Sequence, residues 1–561
     1  MRSRKLLALL LCLITFPALA GYMTLLGAGV GSIAPTVSWI AGTDAFPDTA
    51  LTYSGPSLST MFDSSGKLTY KPNNLALNTA TLGTQSVTVQ VGINYLINFA
   101  SGGGSIALSG AGAGTVTSAS PVKITASTTT LTLTVTGTVT NAVVAAVTYE
   151  TSPRTVDQVI TTASAYYGPR IDYDPNTLAV RGLLIEEART NIIPANVNSG
   201  TMTSAGWITF NATATANFAA GIDGTSNADK FAESASNGNQ ARYYTISAVK
   251  TANAVYTFSA FLKQGTQRYA YLTIGGGAGA DWVNAVFDLQ AGTVTQSSAG
   301  AAGTLSGATI TASANGFYRV TVSGSMAATN GFNYIGLSNT GTPTLGIFGL
   351  PTYVGNTANY VLFAGEQFEL GAFASSYIPG NGASVTRAAD VVQFTGAALT
   401  ALQGSAGSAI VESASIASAS PASITNIIRG TNSILYRDTT GKTGTTNGTT
   451  ALLTAAAPTW NAALRNGLAW STVGRSITYT SGAVATDANA ASNGGTLYLG
   501  SSNGSAVEDG WYKSFAIYNQ RLPDATLQAK SVVGASYVAN NNGVRFAFAN
   551  DNLPVHWRIA L

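Results

Sequence analysis

Aromatic and polar residues between positions 239 and 282 have the chemistry needed to bind a sugar. Sugars present flat apolar C–H faces, so their binding sites combine exposed aromatic rings with amides and charged groups. We predict ligand contacts from Asn239, Arg242, Tyr243, Tyr244, Tyr269, Tyr271, Asp281 and Trp282. The alternative for each ring is burial in a core, which is the commoner position of an aromatic residue on a strand.

Two of these predictions have a geometric basis. Tyr243 and Tyr244 point to opposite faces if they lie on a strand, so at most one of them faces the core. Trp282 lies beside Asp281 after the glycine-rich segment 275–279, and this position favours an exposed platform. We assign to the core Trp207, Trp511 and Tyr518.

Carboxylates indicate two further kinds of site. Glycoside hydrolysis needs two Asp or Glu side chains about 5–10 Å apart, and Glu366 and Glu369 are candidates. Their spacing of three residues places them on opposite faces of a strand, so they cannot act together. We interpret Glu369 as a buried or edge carboxylate, and a partner Asp on another strand stays open. Asp223, in the polar loop 221–227, is a candidate calcium ligand, with a plain turn as the alternative.

The sequence lacks the residues that other kinds of catalytic or cofactor site require. His556 is the only histidine and lies near the C-terminus, where nothing places it in a catalytic triad. The only cysteine is Cys12, so thiol catalysis, disulfides and cysteine metal sites are excluded for the rest of the chain. Segment 275–279 opens no helix, unlike a dinucleotide-binding loop. We predict no enzymatic activity and no cofactor, apart from calcium at Asp223.

The charge balance excludes nucleic acid as a partner. Lys and Arg number 27 and Asp and Glu 24, which gives a formal charge of +3, and only 9% of residues are charged. An ordinary globular domain has about 25%. Residues 1–20 hold Arg2, Arg4 and Lys5 but no acid, so 24 basic residues face 24 acidic ones in 21–561. A neutral chain without a basic patch cannot grip a phosphate backbone.

The first 20 residues have the pattern of an export signal. A positive start is followed by the apolar run 6–16 and by Ala18-Leu19-Ala20 before Gly21. The run is shorter than the roughly 20 residues that span a membrane. The alternative is that translation starts at Met23. The three leucines before Cys12 do not fit a lipoprotein signal, so we predict no lipid anchor.

Alternation of apolar and small polar residues dominates the chain and predicts half-buried strands. It runs without a break through 87–99 and recurs at 131–135, 256–260, 269–273 and 318–322. Helical periodicity is scarce, with candidates at 178–191 and 524–533. We predict an all-β protein built from several antiparallel sandwiches.

Changes in this pattern predict the domain boundaries. They separate a signal-like segment at 1–20, an irregular region at 21–84, a small Gly/Thr-rich β module at 85–150, a charged connector at 151–195, a β-sandwich at 196–394, a second sandwich at 395–535 and a tail at 536–561. Segments 151–157 and 375–390 carry similar residues at two of these borders, which indicates a strand-exit connector used twice.

The connector concentrates charge in a chain that has little. Nine charged residues fall between positions 154 and 189, and Asp174-Pro175-Asn176 is a strong turn signal. We predict a salt-bridged junction between domains, formed by Arg170, Asp172, Asp174, Arg181, Glu186, Glu187 and Arg189. A cation or ligand site is the alternative.

Segments 169–177 and 181–191 resemble a connector motif of bacteriophage virion proteins of the head-spike-fibre and tail-fibre-like group. In that group the motif precedes a carbohydrate-binding-type β-sandwich. Residues 60–68 resemble the opening motif of the group, 85–150 its small β module, and 374–390 its sandwich exit. Segments 495–500 and 510–522 resemble the closing strands of laminin-G and concanavalin-A-like jelly rolls.

The resemblance implies tandem lectin-like jelly-roll sandwiches on a virion surface. The protein would be a fibre, spike or decoration component that adheres to host-surface or environmental glycans. Its other partners would be virion proteins, and the resemblance implies a homo-oligomer, a trimer. The alternatives are a secreted bacterial carbohydrate-binding protein, a glycan depolymerase and a purely structural virion protein.

Overall fold

The computed structural model describes residues 33–533 except 45, 47–48, 153, 194–206, 247–249, 381–382, 418–422, 460–461, 481 and 492. The signal-like segment 1–20 with Cys12, the alternative start Met23 and the tail 536–561 with His556 lie outside the described residues.

The strands fall into five successive runs along the chain. The first run is β1 (Val37–Ile40) and β2 (Leu51–Ser54). The second is β3 (Thr60–Phe62), β4 (Leu68–Tyr70), β5 (Asn73–Asn74), β6 (Gln85–Thr88), β7 (Asn94–Ser101), β8 (Ser105–Gly110), β9 (Gly114–Val116), β10 (Val122–Thr125), β11 (Thr130–Thr136), β12 (Thr140–Val147) and β13 (Tyr166–Tyr167). The third is β14 (Ile171–Tyr173) and β15 (Val180–Ile185).

The last two runs are longer. The fourth is β16 (Arg189–Asn191), β17 (Trp207–Phe210), β18 (Ala212–Ala219), β19 (Ala228–Glu233), β20 (Asn237–Gly238), β21 (Ala241–Ile246), β22 (Val255–Gln264), β23 (Tyr269–Gly276), β24 (Trp282–Asp288), β25 (Thr293–Ala299), β26 (Gly303–Ala312), β27 (Tyr318–Met326), β28 (Gly331–Ser338), β29 (Tyr353–Val354), β30 (Tyr360–Leu370) and β31 (Val385–Arg387). The fifth is β32 (Val391–Phe394), β33 (Gly407–Ser415), β34 (Thr425–Arg429), β35 (Ser433–Arg437), β36 (Thr443–Thr446), β37 (Ala451–Leu453), β38 (Leu464–Ser471), β39 (Gly474–Tyr479), β40 (Ala485–Asp487), β41 (Tyr498–Leu499) and β42 (Gly510–Tyr518).

The predicted all-β class is confirmed. The α-helices of the described residues are α1 (Gly396–Leu402) and α2 (Asp524–Lys530), beside short 3-10 turns at Thr155–Asp157, Ala314–Gly316 and Ile347–Gly349. No helix in this part of the chain has the length and apolar character to cross a membrane.

The second run folds into a small β module. Its sheets β10-β7-β12 and β6-β11-β8-β9 enclose one apolar core, and β5 pairs with β13. The alternation predicted at 87–99 is visible in that core, which buries Val87, Val89, Ile93, Tyr95, Ile97 and Phe99. The pattern continues through a turn at Gly92 (φ +79°), so the single predicted run forms two strands.

The fourth run forms the central sandwich. Its sheets have the antiparallel orders β17-β21-β28-β23-β24-β25 and β18-β19-β30-β22-β27-β26 and enclose a separate core. The first strand of the run pairs with the last, because β16 lies antiparallel to β31 with Arg189 opposite Arg387. The ends of this unit therefore lie side by side.

The first, third and fifth runs together form a terminal sandwich. One sheet has the order β14-β15-β42-β33-β38-β39-β40, with β1 also paired to β42, and the other is β2-β32-β41-β34-β35-β36-β37. The predicted boundary at 395 is therefore wrong for this sandwich, which takes strands from the predicted irregular region, the connector and the end of the predicted first sandwich. The residue pattern that predicts the boundaries is a local property, whereas the partners of these strands lie hundreds of residues away.

The predicted helix at 178–191 is also wrong. The segment forms β15 and β16, and β15 pairs with β42. Gly182 has φ +138°, and a side chain there would meet the Tyr512 carbonyl oxygen at 2.6 Å, so this position fits a close strand contact and not a helix. The other predicted helix exists, since α2 occupies 524–530 of the predicted 524–533.

The charged connector forms the predicted junction. Arg170 and Arg387 both bind the Glu186 carboxylate, at 2.5 and 2.7 Å, and Arg170 also binds Asp390. The Ser376 backbone N–H and hydroxyl donate to Glu186 at 2.7 and 2.6 Å. We call Arg170, Glu186, Arg387 and Asp390 the ion cluster; all four are buried. Burial alone would raise the pKa of Glu186, but Arg387 and Arg170 outweigh it and lower that pKa to about 2.

All three units contribute to this junction. The Tyr53 hydroxyl of the terminal sandwich donates to Asp390 at 2.5 Å. The Lys71 ammonium of the small module donates to the Tyr53 oxygen at 3.0 Å and to the Gly55 carbonyl at 2.6 Å. Burial lowers the pKa of Lys71 to about 7, against the opposing attraction of Asp390.

Other connector charges pair on the rim of the junction. Arg181 binds Asp174 at 2.8 Å, and Arg189 binds Glu187 at 2.5 Å. Asp174 also accepts hydrogen bonds from the N–H groups of Asn176 and Thr177, as its predicted turn requires. The interpretation of the connector as a salt-bridged junction is confirmed.

Glu186→Gln should lower the free energy of unfolding by about 3–5 kcal/mol, because it removes the carboxylate that two buried guanidinium groups share. Urea unfolding of the full chain, followed by circular dichroism, measures the change. Glu187→Gln is the matched control at a side chain that is 41% exposed, with an expected loss below about 1 kcal/mol. Equal losses in the two variants would contradict the role assigned to the ion cluster.

The ion cluster also predicts a loss of stability in acid. Glu186 has a folded pKa of about 2 against an ordinary value of 4.5, so the unfolded chain takes up the proton first as pH falls. The stabilisation from this carboxylate is complete above about pH 4.5 and lost near pH 2. The stability difference between wild type and Glu186→Gln should therefore shrink between about pH 5 and pH 2 in urea titrations; a constant difference would argue against it.

Candidate functional site

The outer face of the sheet β17-β21-β28-β23-β24-β25 gathers aromatic residues of the central sandwich. Side chains alternate along a strand, and the register places Tyr243 opposite Tyr334 and Tyr271 opposite Gly336. The residues between them, such as Ile335, point into the core. We call the outward set the aromatic face: Phe210, Tyr243, Tyr269, Tyr271, Trp282, Phe332 and Tyr334.

Tyr243 is the centre of a group of touching rings. Its ring centroid lies 5.3 Å from Phe210 in a stacked arrangement, 5.3 Å from Phe332 edge to face and 5.4 Å from Tyr334. Rings at these distances and angles attract one another beyond the burial of their surface. The rings are therefore held in place before any ligand arrives.

This end of the aromatic face is open and uncharged. Phe210 is 44% exposed, and Tyr243 and Phe332 are half-buried. Thr245, opposite Phe332 in the register, is exposed and offers a hydroxyl group. Charge enters at the far end, where the Arg268–Asp288 ion pair (2.6 Å) lies beside Tyr269.

Residues 339–352 cross the other end of the aromatic face, and we call them the covering segment. Phe348 contacts the rings of Phe332 and Tyr334 at 5.8 and 6.1 Å. Gly349 (φ +68°) lies so close to Trp282 that a side chain there would meet the indole at 2.5 Å. Leu350 packs into the cluster of buried residues around Tyr271.

Three polar atoms beneath or beside the covering segment are buried without a hydrogen-bond partner among the described residues: Tyr271 Oη, Asn284 Oδ1 and Gln296 Oε1. Asn284 and Gln296 also point to the outer side of this sheet, since they lie opposite Thr273 and Val286. Burial raises the pKa of Tyr271, which keeps its hydroxyl protonated. Each unpartnered buried polar atom costs about 1–3 kcal/mol.

Tyr243 and Tyr244 point to opposite faces, as predicted. Tyr243 lies in the open part of the aromatic face, whereas Tyr244 packs against Trp207 at 5.7 Å on the core side. A ligand on the aromatic face can therefore reach Tyr243 and not Tyr244. Tyr269 is half-buried at the charged end of the face.

The expectation of an exposed Trp282 platform is wrong. Trp282 is 9% exposed because Gly349 of the covering segment lies against its indole. Tyr271 is fully buried, since its ring lies over Gly336 and under Leu350. Both residues point outward from the sheet, and it is the covering segment that hides them.

Two of the residues predicted to make polar ligand contacts, Arg242 and Asp281, instead form hydrogen bonds within the protein. The Arg242 side chain is buried on the core side, where it donates to the Trp207 carbonyl at 3.3 Å. Asp281 is buried and accepts the N–H groups of Ala327 and Ala328 at 3.1 and 3.0 Å. Neither side chain reaches the aromatic face, and the ligand contacts predicted for these two residues stay predictions.

Asn239 holds the covering segment. Its amide nitrogen donates to the Pro351 carbonyl at 2.8 Å and to the Thr352 hydroxyl at 3.1 Å. The side chain is half-buried at the edge of the aromatic face. Its predicted ligand contact stays a prediction.

Sequence reasoning missed Phe210, Phe332, Tyr334 and Phe348. Phe332 and Tyr334 are two residues apart, which is the available signal for a shared face. Nothing in the sequence shows that their strand lies beside Tyr243, because that pairing joins residues about 90 positions apart in the register.

Glu366 and Glu369 lie on opposite faces of β30, as predicted. Both are buried. Glu369 accepts hydrogen bonds from the Ser375 N–H at 2.9 Å and the Ser375 hydroxyl at 2.7 Å, and lies 3.8 Å from Arg189. These contacts match its interpretation as a buried carboxylate at the sandwich exit.

Asp223 is the acceptor of a turn. One carboxylate oxygen accepts the Thr225 N–H and hydroxyl, both at 2.8 Å, and the other accepts the Asn227 amide at 3.1 Å. Burial raises the pKa of Asp223. The described residues hold no group of three or more His, Cys, Asp or Glu that could bind a metal ion. The geometry is that of the turn alternative, and the calcium prediction is untested.

Of the predicted core aromatics, Trp207 and Tyr518 are buried, whereas Trp511 is not. Trp511 is half-buried, with the Arg181 guanidinium 5.0 Å above its ring, and its indole N–H donates to Asp172 at 2.8 Å. The core prediction for Trp511 is wrong because this residue lies on the outside of β42, where it joins the connector.

Gly349→Ala should destabilise the central sandwich by about 1–3 kcal/mol, because a side chain at φ +68° would also collide with Trp282. Thermal unfolding followed by circular dichroism measures the effect. Gly346→Ala is the matched control, since its added carbon would meet no atom closer than 3.4 Å. If both variants unfold like wild type, the covering segment does not pack on Trp282 as described.

No family model and no curated protein matches the chain. Among solved structures, it is similar to the carbohydrate-binding module CBM40 of the Ruminococcus gnavus IT-sialidase bound to α2,3-sialyllactose, with 16% identity, 24% of this chain and 88% of that chain covered and a TM-score of 0.21. It is also similar to Trypanosoma rangeli sialidase in complex with sialic acid, with 8% identity, 54% of this chain and 60% of that chain covered and a TM-score of 0.20. The chain thus spans less than two thirds of the sialidase, and TM-scores near 0.2 carry no inference about its activity.

Proposed function

We propose that the protein is a non-enzymatic adhesion protein that binds glycans through the aromatic face of its central sandwich. The observation that supports this proposal is the group of touching rings around Tyr243, open to solvent on an uncharged outer sheet face. Sugar rings stack their C–H faces on such aromatic surfaces. The lack of charge at this end suits neutral polar ligands.

The proposal extends to the surface of a virion. It is supported by the resemblance of segments 169–191 and 60–68 to phage fibre and spike proteins, whose partners are host-surface glycans and other virion proteins. A single shallow site of this kind binds weakly, so a homo-oligomer would supply avidity. A secreted bacterial carbohydrate-binding protein is the alternative, since it would carry the same aromatic face.

The structure also gives a reason for the motif residues themselves. Arg170, Glu186 and Arg189 are held in buried or rim ion pairs at the junction of three units. The motif residues therefore have a structural role in this chain, at the place where its three units meet.

The non-enzymatic part of the proposal is supported by the two candidate carboxylates. Glu366 and Glu369 point to opposite faces of one strand and are buried. Hydrolysis needs two carboxylates that flank one glycosidic bond. Release of reducing sugar from host polysaccharide by the purified protein would overturn this part.

Tyr243→Ala should weaken glycan binding about tenfold or more, because it removes the central ring of the open group and about 1.4 kcal/mol corresponds to a factor of ten. Binding of the full chain to an array of neutral and acidic oligosaccharides measures the effect. Phe218→Ala is the matched control, an exposed aromatic on the opposite sheet, and should bind like wild type.

The glycan array and mass spectrometry distinguish the glycan-binding, structural and secreted alternatives. Absence of wild-type binding to every glycan would favour a purely structural protein. Equal binding by wild type and Tyr243→Ala would place the glycan site elsewhere. Mass spectrometry of purified virions tests the location, and a native chain that starts at Met23 would exclude the secreted alternative.

A further inference from the structure

We propose that the covering segment is a lid, and that the surface beneath it is a second subsite for the glycan, with Trp282 as its platform and Tyr271, Asn284 and Gln296 as its polar groups. This inference rests on the proposed function. It extends the site from the open rings around Tyr243 to the hidden half of the same sheet face.

The surface beneath the segment has the composition of a sugar site. Trp282 and Tyr271 supply aromatic surface, and their neighbours on the face supply amides and a hydroxyl group. Tyr271 Oη, Asn284 Oδ1 and Gln296 Oε1 are buried and lack hydrogen-bond partners among the described residues. Sugar hydroxyls both donate and accept, so they can pair with all three atoms.

The covering segment is held to the sheet by a few polar contacts. The Phe348 N–H donates to the Gly279 carbonyl at 2.9 Å, and the Asn284 amide donates to the Gly349 carbonyl at 3.0 Å. Asn239 adds its two bonds to Pro351 and Thr352. Residues 339–352 contain no charged side chain, so no ion pair locks the segment in place.

The tip of the segment combines an exposed side chain with an unfavourable backbone conformation. Ile347 is 72% exposed, and Phe348 beside it has φ +59°, a left-handed conformation that costs a non-glycine residue energy. The C-terminal end is anchored, because β29 pairs with β20 and the Tyr353 hydroxyl donates to Glu233 at 2.7 Å. At the N-terminal end the Thr295 hydroxyl donates to the Gly341 carbonyl at 2.6 Å. A strained and exposed tip between two anchored ends is the arrangement of a lid that swings from its base.

A disulfide can hold this lid closed without adding a new contact. The Cβ atom of a residue at 279 would lie 3.8 Å from the Ile347 Cβ, at the mean distance found across disulfides, about 3.8 Å. We would make Gly279→Cys/Ile347→Cys in a Cys12→Ser background, which has no other cysteine. The same protein, oxidised and reduced, provides its own matched control, and each single cysteine variant controls for the substitutions.

The oxidised double variant should bind the oligosaccharide array at least tenfold more weakly than its reduced form, and the reduced form should bind like wild type. Equal binding by the oxidised and reduced forms would overturn the proposal.

Hydrogen exchange without any glycan tests the lid separately. The amides of Phe348 and Gly349 should exchange at least a hundredfold faster than those of Tyr334 and Ile335 on β28, and the oxidised double variant should slow them. Exchange as slow as in β28 would overturn the lid whatever the array shows. Fast exchange with no binding by any form would instead refute the proposed function and the subsite, and would leave the moving segment in place.

Discussion

The ion cluster of Arg170, Glu186, Arg387 and Asp390 is the constraint on which the architecture depends. Arg387 ends β31, and the other three lie directly beside β14, β15 and β32; all four are buried where three units meet. A buried ion pair is seldom more stable than a well-packed apolar contact, but it becomes costly when one partner is misplaced. We interpret the cluster as a device that permits one relative placement of these strands.

That placement allows the other two units to be inserted between the strands of the terminal sandwich. The Asn519 N–H donates to Thr36 across 483 positions, and β1 pairs with β42, so the terminal sandwich is complete only after nearly the whole described chain is present. The inserted units have cores of their own. Since β16 and β31 lie side by side, the central sandwich starts and ends at one point, and such an insertion disturbs its host little.

The sequence predicts local features well and the pairing of distant strands poorly. Alternation predicts the strands and the opposite faces of Tyr243 and Tyr244, and the excess of charge at 154–189 predicts the junction. The domain boundary at 395 and the exposure of Trp282 were wrong for one reason. Each depends on a segment far along the chain, β1 and β15 for the boundary and Gly349 for Trp282, and a period-two pattern does not identify its partners.

The same contrast between local and distant contacts divides the candidate site into a rigid half and a half that the covering segment hides. The rings around Tyr243 stand on paired strands and touch one another, so they need no rearrangement to meet a ligand. Over the other half of the face, burial of Leu350 contributes about 1.5–3 kcal/mol, while a single unpartnered polar atom beneath it costs about 1–3 kcal/mol. The unpartnered atoms offset part of what the packing of the covering segment contributes, so a ligand that pairs with those atoms shifts the equilibrium towards the open state.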